Sequence, residues 1–165
     1  MLNLVRKNFL ISRAKKHLAV GYSYRAGRNF FGRKTIFTQS GGLPFKVRTI
    51  DFKRNIIASV LVLTIEKDIN RTANVGMAYF DNGYFTNIIL SSNHSLQTGI
   101  FDNFTHKMQP GSISFLQFIS TGSFIHNIEL RPGQGALISR AAGTASFLIS
   151  KDDNNEFSYL KMNSG

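Results

Sequence analysis

The basic residues of this chain are crowded into its first third. Thirteen of the 20 Lys and Arg lie between Met1 and Arg54, where the single acid is Asp51; the other 111 residues hold seven bases and eight acids. The first segment thus carries about +12 and the rest about −1. A stretch that repels itself this strongly does not collapse alone into a compact core. The net charge of +11 calls instead for a polyanionic partner. The pattern describes a cationic arm attached to a nearly neutral folded body.

Several classes drop out on composition. With no Cys, there is no disulfide scaffold and no thiol, iron–sulfur or Cys-based zinc chemistry. The longest uncharged apolar-rich run, Ile56 to Ile65, is about half of the roughly 20 residues that a membrane-spanning helix needs, so no membrane span is expected. The apolar patches after Met1 are broken by Arg6, Lys7 and Arg13, which is not a secretory signal pattern. An acid-free basic start does share the character of a transit peptide. Because the basic character runs on to Arg54, the expectation is a retained arm. The sequons at Asn70, Asn93 and Asn103 are read as chance in a chain rich in Asn.

Residues 1–44 hold no sustained period of 2 or 3.6, and five glycines fall between Gly21 and Gly42. Such a segment buries too little apolar surface to offset its ordering entropy. It is expected to be extended or irregular until it meets its partner, apart from a short helical turn near Leu10 to Leu18. From Phe45 the texture changes to short β-rich runs separated by turn signals. Strands are expected over Ile56–Ile65, Ala73–Phe80 and Tyr84–Leu90, the last two joined through Asn82-Gly83 as an antiparallel hairpin. Further runs are Leu96–Phe101, Ser112–Ile119, Ser123–Leu130, Thr144–Ser150 and Phe157–Met162. A junction is expected at Gln109-Pro110-Gly111, a turn over Arg131 to Gly135, a helical turn over Ala136–Ala142 and a polar loop over Lys151–Glu156. The chain is therefore read as mainly β, with an arm over 1–44 and β modules over 45–109 and 110–165.

No catalytic constellation stands out, and the chain is not expected to be an enzyme. His17, His94, His106 and His126 lack metal-ligand spacing, and no cofactor or metal is expected. Gly27 to Gly32 followed by Arg33-Lys34-Thr35 narrowly misses a phosphate-binding loop: an Arg precedes the Lys and no strand leads in. Asp152-Asp153 reads as a solvated loop. The stronger signal is Tyr24-Arg25-Ala26-Gly27-Arg28-Asn29-Phe30-Phe31-Gly32-Arg33-Lys34, which interleaves guanidinium groups with glycines and rings. Arg forks match phosphate oxygens, Gly admits close backbone approach, and rings stack on unpaired bases.

These residues resemble a known family. Gly27-Arg28-Asn29-Phe30-Phe31-Gly32-Arg33-Lys34-Thr35, Arg48-Thr49-Ile50-Asp51-Phe52-Lys53-Arg54, Ile65-Glu66 and Asn70-Arg71-Thr72-Ala73-Asn74-Val75 are similar to successive signatures of the ribosomal protein L two family. Ile125-His126-Asn127-Ile128-Glu129, Pro132-Gly133-Gln134-Gly135 and Arg140-Ala141-Ala142-Gly143-Thr144 continue in the same order. The resemblance implies an OB-fold barrel followed by an SH3-like barrel, with an extended basic N-terminal arm. It also implies a structural constituent of the large ribosomal subunit that supports assembly, the peptidyl-transferase region and subunit association. The implied partners are large-subunit rRNA and neighbouring large-subunit proteins. By position, Arg28, Asn29, Arg33 and Lys34 belong to the rRNA-embedded arm, joined by Arg25 and Lys46. Arg48, Lys53, Arg54, Arg71, His126, Arg131 and Arg140 lie on or beside the barrels facing RNA. Arg71 and Asn74 also suit a turn, His126 a core position satisfied by backbone, and Asp51 a local pair with Lys53 or Arg48.

Departures from the family are also visible. Where the family carries basic or imidazole groups around a triple glycine, this chain has Phe37, Thr38 and Ser40-Gly41-Gly42-Leu43-Pro44, so some phosphate contacts there are expected to be lost. The family continues past its second barrel, whereas this sequence ends at Gly165. The expectation is a separate chain that supplies the last strand and the remaining C-terminal part. With 15 Phe, no Trp and no Cys, the composition suits an AT-rich organellar gene, so the expected setting is a mitochondrial ribosome, with bacteria and plastids as alternatives. The competing reading is a free OB-fold single-strand binder, which explains charge and β content but not the Gly135 to Thr144 segment.

Overall fold

The computed structural model describes residues 11–54, 60–92, 94, 99–100, 111–152 and 156–165. It is mainly β, as expected, and divides into two compact units, Met1–Thr49 and Ile50–Gly165. Among the described residues no helix is long and apolar enough to cross a membrane.

The first unit is more regular than its sequence suggests. Residues 11–17 are helical, in line with the short turn expected there, and the Leu18 N–H closes onto the Ala14 carbonyl at 2.9 Å. Strand β1 (Ala19–Tyr22) then pairs antiparallel with β2 (Phe45–Arg48), Tyr22 opposite Phe45 and Ala19 opposite Arg48. The expectation of irregular chain over 1–44 is corrected at β1 and in the loop it opens. Backbone hydrogen bonds supply this order, because hydrophobic burial does not: within 11–49 only Gly27 is buried. The rings of Tyr22, Tyr24 and Phe45 cluster with centroids 5.4–5.9 Å apart.

In the second unit, β3 (Val60–Glu66), β4 (Val75–Phe80), β5 (Phe85–Ile89) and β6 (Gly99–Ile100) form an antiparallel sheet ordered β5-β4-β3-β6. The apolar run Val60 to Val62 alternates inward until a register shift between Val62 and Thr64. Val60, Val62, Ala78, Phe80, Ile88 and Leu90 form the core, with Ile113 packed against it. The β4–β5 hairpin appears where it was expected. Its loop has three residues, with Phe80 N–H on Tyr84 O and Gly83 N–H on Phe80 O, both at 2.9 Å. Only Gly83 takes a positive φ, +87°, and Asn82 Oδ1 accepts the Tyr84 N–H.

A second sheet follows, β7 (Phe124–Ile125), β8 (Ser146–Lys151) and β9 (Ser158–Lys161), antiparallel in that order. Leu148 is fully buried at its centre. Three expectations are corrected in this region. Ser112–Ile119 is not a continuous strand: Ile113 makes a single bridge and residues 116–118 turn, with Phe118 N–H on Phe115 O and Ile119 N–H on Leu116 O. Its apolar residues alternate only from Ile113 to Phe115, and local i to i+3 bonds take the backbone beyond. Ser123–Leu130 is strand only at Phe124–Ile125, because left-handed Asn127 (φ 55°) turns the chain. Ala136–Ala142 is not helical: Ile138 bridges Ile128, and left-handed Ser139 (φ 53°) breaks any helical run. Of the Gln109-Pro110-Gly111 junction, Gly111 is described, with φ +92°; Gln109, Pro110 and most of the Leu96–Phe101 run lie outside the described residues.

Gly76 sits in the central strand where a Cβ would meet Leu90 side-chain atoms at 2.7–2.9 Å. Gly76→Ala is therefore expected to lower unfolding stability by about 1–3 kcal/mol through overpacking, measured by urea titration against Gly21→Ala, where an added Cβ meets nothing within 4 Å.

Candidate nucleic-acid interface

In the first unit the basic motif folds into a hairpin of its own. Arg28 bridges Lys34, the Thr35 N–H and Ile36 N–H both reach the Gly27 carbonyl, at 2.8 and 3.2 Å, and Thr35 Oγ1 donates to the same oxygen. Gly27, at φ +70°, is required: a Cβ there would collide with the Ile36 carbonyl. At the tip the Asn29 N–H bonds Arg33 O at 2.9 Å, and the Gly32 N–H bonds Asn29 O at 3.0 Å. Asn29 Oδ1 accepts the Arg33 N–H at 2.9 Å. The oxygen of Asn29, expected to face RNA, thus fixes the loop. Arg25, Arg28, Arg33 and Lys34 are placed in or beside this hairpin, and no acid precedes Asp51 in the chain. Lys34 Nζ lies 5.6 Å from the centre of the Phe37 ring. Lys46 and Arg48 lie on β2, Lys46 exposed.

The second unit gathers the other motifs at Phe52. Its ring meets the Arg71 guanidinium at 5.0 Å and the Arg140 guanidinium at 5.1 Å. The Ala136 N–H bonds the Phe52 carbonyl, and the Ala142 N–H bonds Thr72 Oγ1 at 3.1 Å. Segments 70 residues apart are thereby joined around one aromatic ring. Sequence reasoning missed Phe52; the only signal was an aromatic residue inside a cationic run. Asp51 Oδ1 accepts the N–H groups of Lys53 and Arg54, each at 3.0 Å, so its local role is with their backbones. This holds left-handed Arg54 (φ 47°), whose guanidinium reaches the Ile89 carbonyl at 3.1 Å. Arg71 also approaches the buried Asp68 carboxylate at 3.8 Å. Arg131 lies exposed on a loop tied down by Glu129, whose oxygens accept the Gly133 and Gly135 N–H groups at 3.0 and 2.9 Å.

Two histidines are held neutral. His94 Nδ1 accepts the Ser91 N–H at 3.0 Å, which leaves Nε2 to donate to Gly111 O at 3.1 Å. Burial pushes its pKa below the ordinary 6.5, the Arg54 charge adds to this, and the bonds to Gly111 and Ser91 offset part. His126 is half-buried and also lowered, by burial first, with its own backbone offsetting part and the Arg54 charge adding to the lowering. Its Nδ1 is buried and makes no hydrogen bond of good geometry to the described residues. Among the described residues no group of three His, Asp or Glu could hold a metal ion.

Two family models match the chain. Residues 15–101 match "Ribosomal Proteins L2, RNA binding N-terminal domain", and residues 109–165 match "Ribosomal Proteins L2, C-terminal domain". The chain is 36% identical over 154 residues to the large ribosomal subunit protein uL2 of Orientia tsutsugamushi, covering 93% of this chain and 56% of the relative. Identity and coverage are the same for the Rickettsia felis protein. For that of Rickettsia canadensis, identity is 35% over 151 residues, or 91% and 55% of the two chains. The chain thus spans a little over half the length of these relatives.

Because native His94 resists protonation more than the unfolded chain does, the unfolded state binds more protons as pH falls below about 6.5. Stability is expected to be full above that pH and to decline below it, and His94→Asn, which keeps an acceptor for the Ser91 N–H, is expected to flatten the decline in urea midpoints between pH 7 and 5. Phe52→Leu keeps the apolar bulk but removes both ring contacts. It is expected to cost about 1–2 kcal/mol, from two cation–π contacts of about 0.5–1 kcal/mol each, in the same unfolding measurement.

Proposed function

This chain belongs to the ribosomal protein L2 family, and from that premise we propose that it is a structural, non-catalytic constituent of the large ribosomal subunit that binds large-subunit rRNA. The observation that carries the reading is the basic hairpin over residues 25–37. It lies inside the segment that matches the family's RNA-binding domain, and it sets four cations on a hydrogen-bonded frame in an acid-free part of the chain.

In this reading Arg25, Arg28, Arg33, Lys34, Lys46 and Arg48 meet phosphates from the first unit, with Asn29 shaping the loop that presents them. Lys53, Arg54, Arg71, Arg131 and Arg140 do so from the second, where Phe52 fixes the directions of Arg71 and Arg140, and His126 lies beside them. The two family domains correspond to an arm with an OB-fold body and then an SH3-like barrel, over 1–44, 45–109 and 110–165. Bound this way, the chain supports subunit assembly, the peptidyl-transferase region and subunit association.

The finer part of the proposal is the setting: a mitochondrial ribosome, in which a separate polypeptide adds a strand beside β9. Composition supports the first element. The second is supported by the sheet order β7-β8-β9, which leaves β9 at an edge among the described strands, with backbone groups available for pairing. Purified mitochondrial large subunits should contain the chain next to a small partner carrying the rest of the L2 domain. Recovery in bacterial particles, or a bare β9 edge in the assembled particle, overturns that finer reading.

If roughly 6 to 10 cations meet phosphates, affinity for large-subunit rRNA is expected to fall on the order of 10³- to 10⁵-fold between about 50 and 200 mM salt. Replacing Arg28, Arg33 and Lys34 by Gln should lessen the slope of log K against log salt by about 0.7–0.9 per lost contact. Crosslinking should trap one set of large-subunit rRNA sites; a free single-strand binder would trap many transcripts.

A further inference from the structure

The second unit and the first build the same three-residue hairpin loop with opposite tip chemistry. In the β4–β5 hairpin the loop is Asp81-Asn82-Gly83, closed by the Phe80–Tyr84 and Gly83–Phe80 bonds, with Gly83 left-handed. In the basic hairpin the loop is Phe30-Phe31-Gly32, closed by the equivalent Asn29–Arg33 and Gly32–Asn29 bonds, with Gly32 left-handed at φ +79°. The backbone therefore asks only for the glycine, and polar residues suit the other two positions. Phe30 and Phe31 are not needed for the turn. They are 84% and 89% exposed, more than any core-lining role permits, and they meet edge to face with centroids 5.7 Å apart and planes 84° apart.

From this geometry we propose that the Phe30–Phe31 tip is a binding site for one unpaired nucleoside of RNA. Two rings at right angles make a corner. A base lying flat on one ring presents its edge or its ribose to the other, and a stacked duplex cannot enter because its bases offer no free face. Charge selects the ligand: Arg28, Arg33 and Lys34 flank the tip and suit the phosphates on either side of the captured nucleoside, whereas an apolar pocket of a protein would have to accept those cations as well. The inference deepens the rRNA-binding reading and rests on it.

The test uses the full chain and a variant, Phe30→Leu/Phe31→Leu, which keeps apolar bulk at exposed positions where the fold makes no demand. Binding is measured to large-subunit rRNA, to a single-stranded oligonucleotide carrying 2-aminopurine, and to an A-form duplex of equal length, across a salt series. The wild-type chain should quench 2-aminopurine fluorescence. The variant should bind the rRNA and the oligonucleotide about 5- to 100-fold more weakly, with the salt slope and the duplex affinity unchanged. Equal affinity of variant and wild type for rRNA overturns the inference while leaving the broader reading intact. A variant that binds naked rRNA normally but is lost from particles also overturns it, and assigns the tip to a protein neighbour. Absence of rRNA binding by the wild type defeats the broader reading itself.

Discussion

In the proposed rRNA-binding reading, phosphate charge is the interaction on which the order of the first unit depends. The segment 11–49 contains hydrogen bonds, a helical turn, a strand pair and a hairpin, yet its only buried residue is a glycine. Backbone hydrogen bonds contribute about 1 kcal/mol each net of water, while ordering a residue costs about 1–2 kcal/mol. On the proposed reading, a unit without a core and with no carboxylate before Asp51 is stabilised from outside, by a polyanion that removes the repulsion among its cations.

The second unit solves a different problem. It is nearly neutral in sequence and has real cores, around Val62, Ala78 and Phe80 in one sheet and Leu148 in the other. Its nine Lys and Arg are balanced by nine Asp and Glu, and several are individually positioned. Arg71 and Arg140 lie against Phe52, and Arg54 is turned by Asp51 onto the Ile89 carbonyl. Guanidinium groups arranged in this way lose less side-chain freedom on meeting a phosphate than free ones do. The first unit offers its cations on a light frame without acids; the second sets some of its own against a packed body.

Much of this was legible from residues alone. The β4–β5 hairpin was marked by Asn82-Gly83 between β-branched and aromatic runs, and the charge boundary near Arg54 marked where the basic segment gives way to the neutral one. The basic hairpin was not legible as a hairpin, because its arms lack alternation and its tip carries Phe-Phe where turns usually carry polar residues. Its register comes from the Asn29 side chain and from two N–H groups sharing the Gly27 carbonyl, neither of which leaves a periodic trace. Ser112 to Ile119 misled in the other direction, since a short apolar-rich run does not reveal that turn bonds have claimed the backbone. The Phe52 cluster is a contact across 70 and 88 residues of sequence, which local reasoning does not reach.

Amide hydrogen exchange, with and without large-subunit rRNA, tests the dependence on phosphate most directly. In the free protein the amides of Arg33, Thr35 and Ile36 should exchange nearly as fast as an unfolded chain while those of β4 stay slow, and addition of the RNA should slow both sets to a common level. Full protection of the hairpin amides in the free chain, unchanged by the RNA, would show that the first unit stands without its counter-charge and would contradict the account.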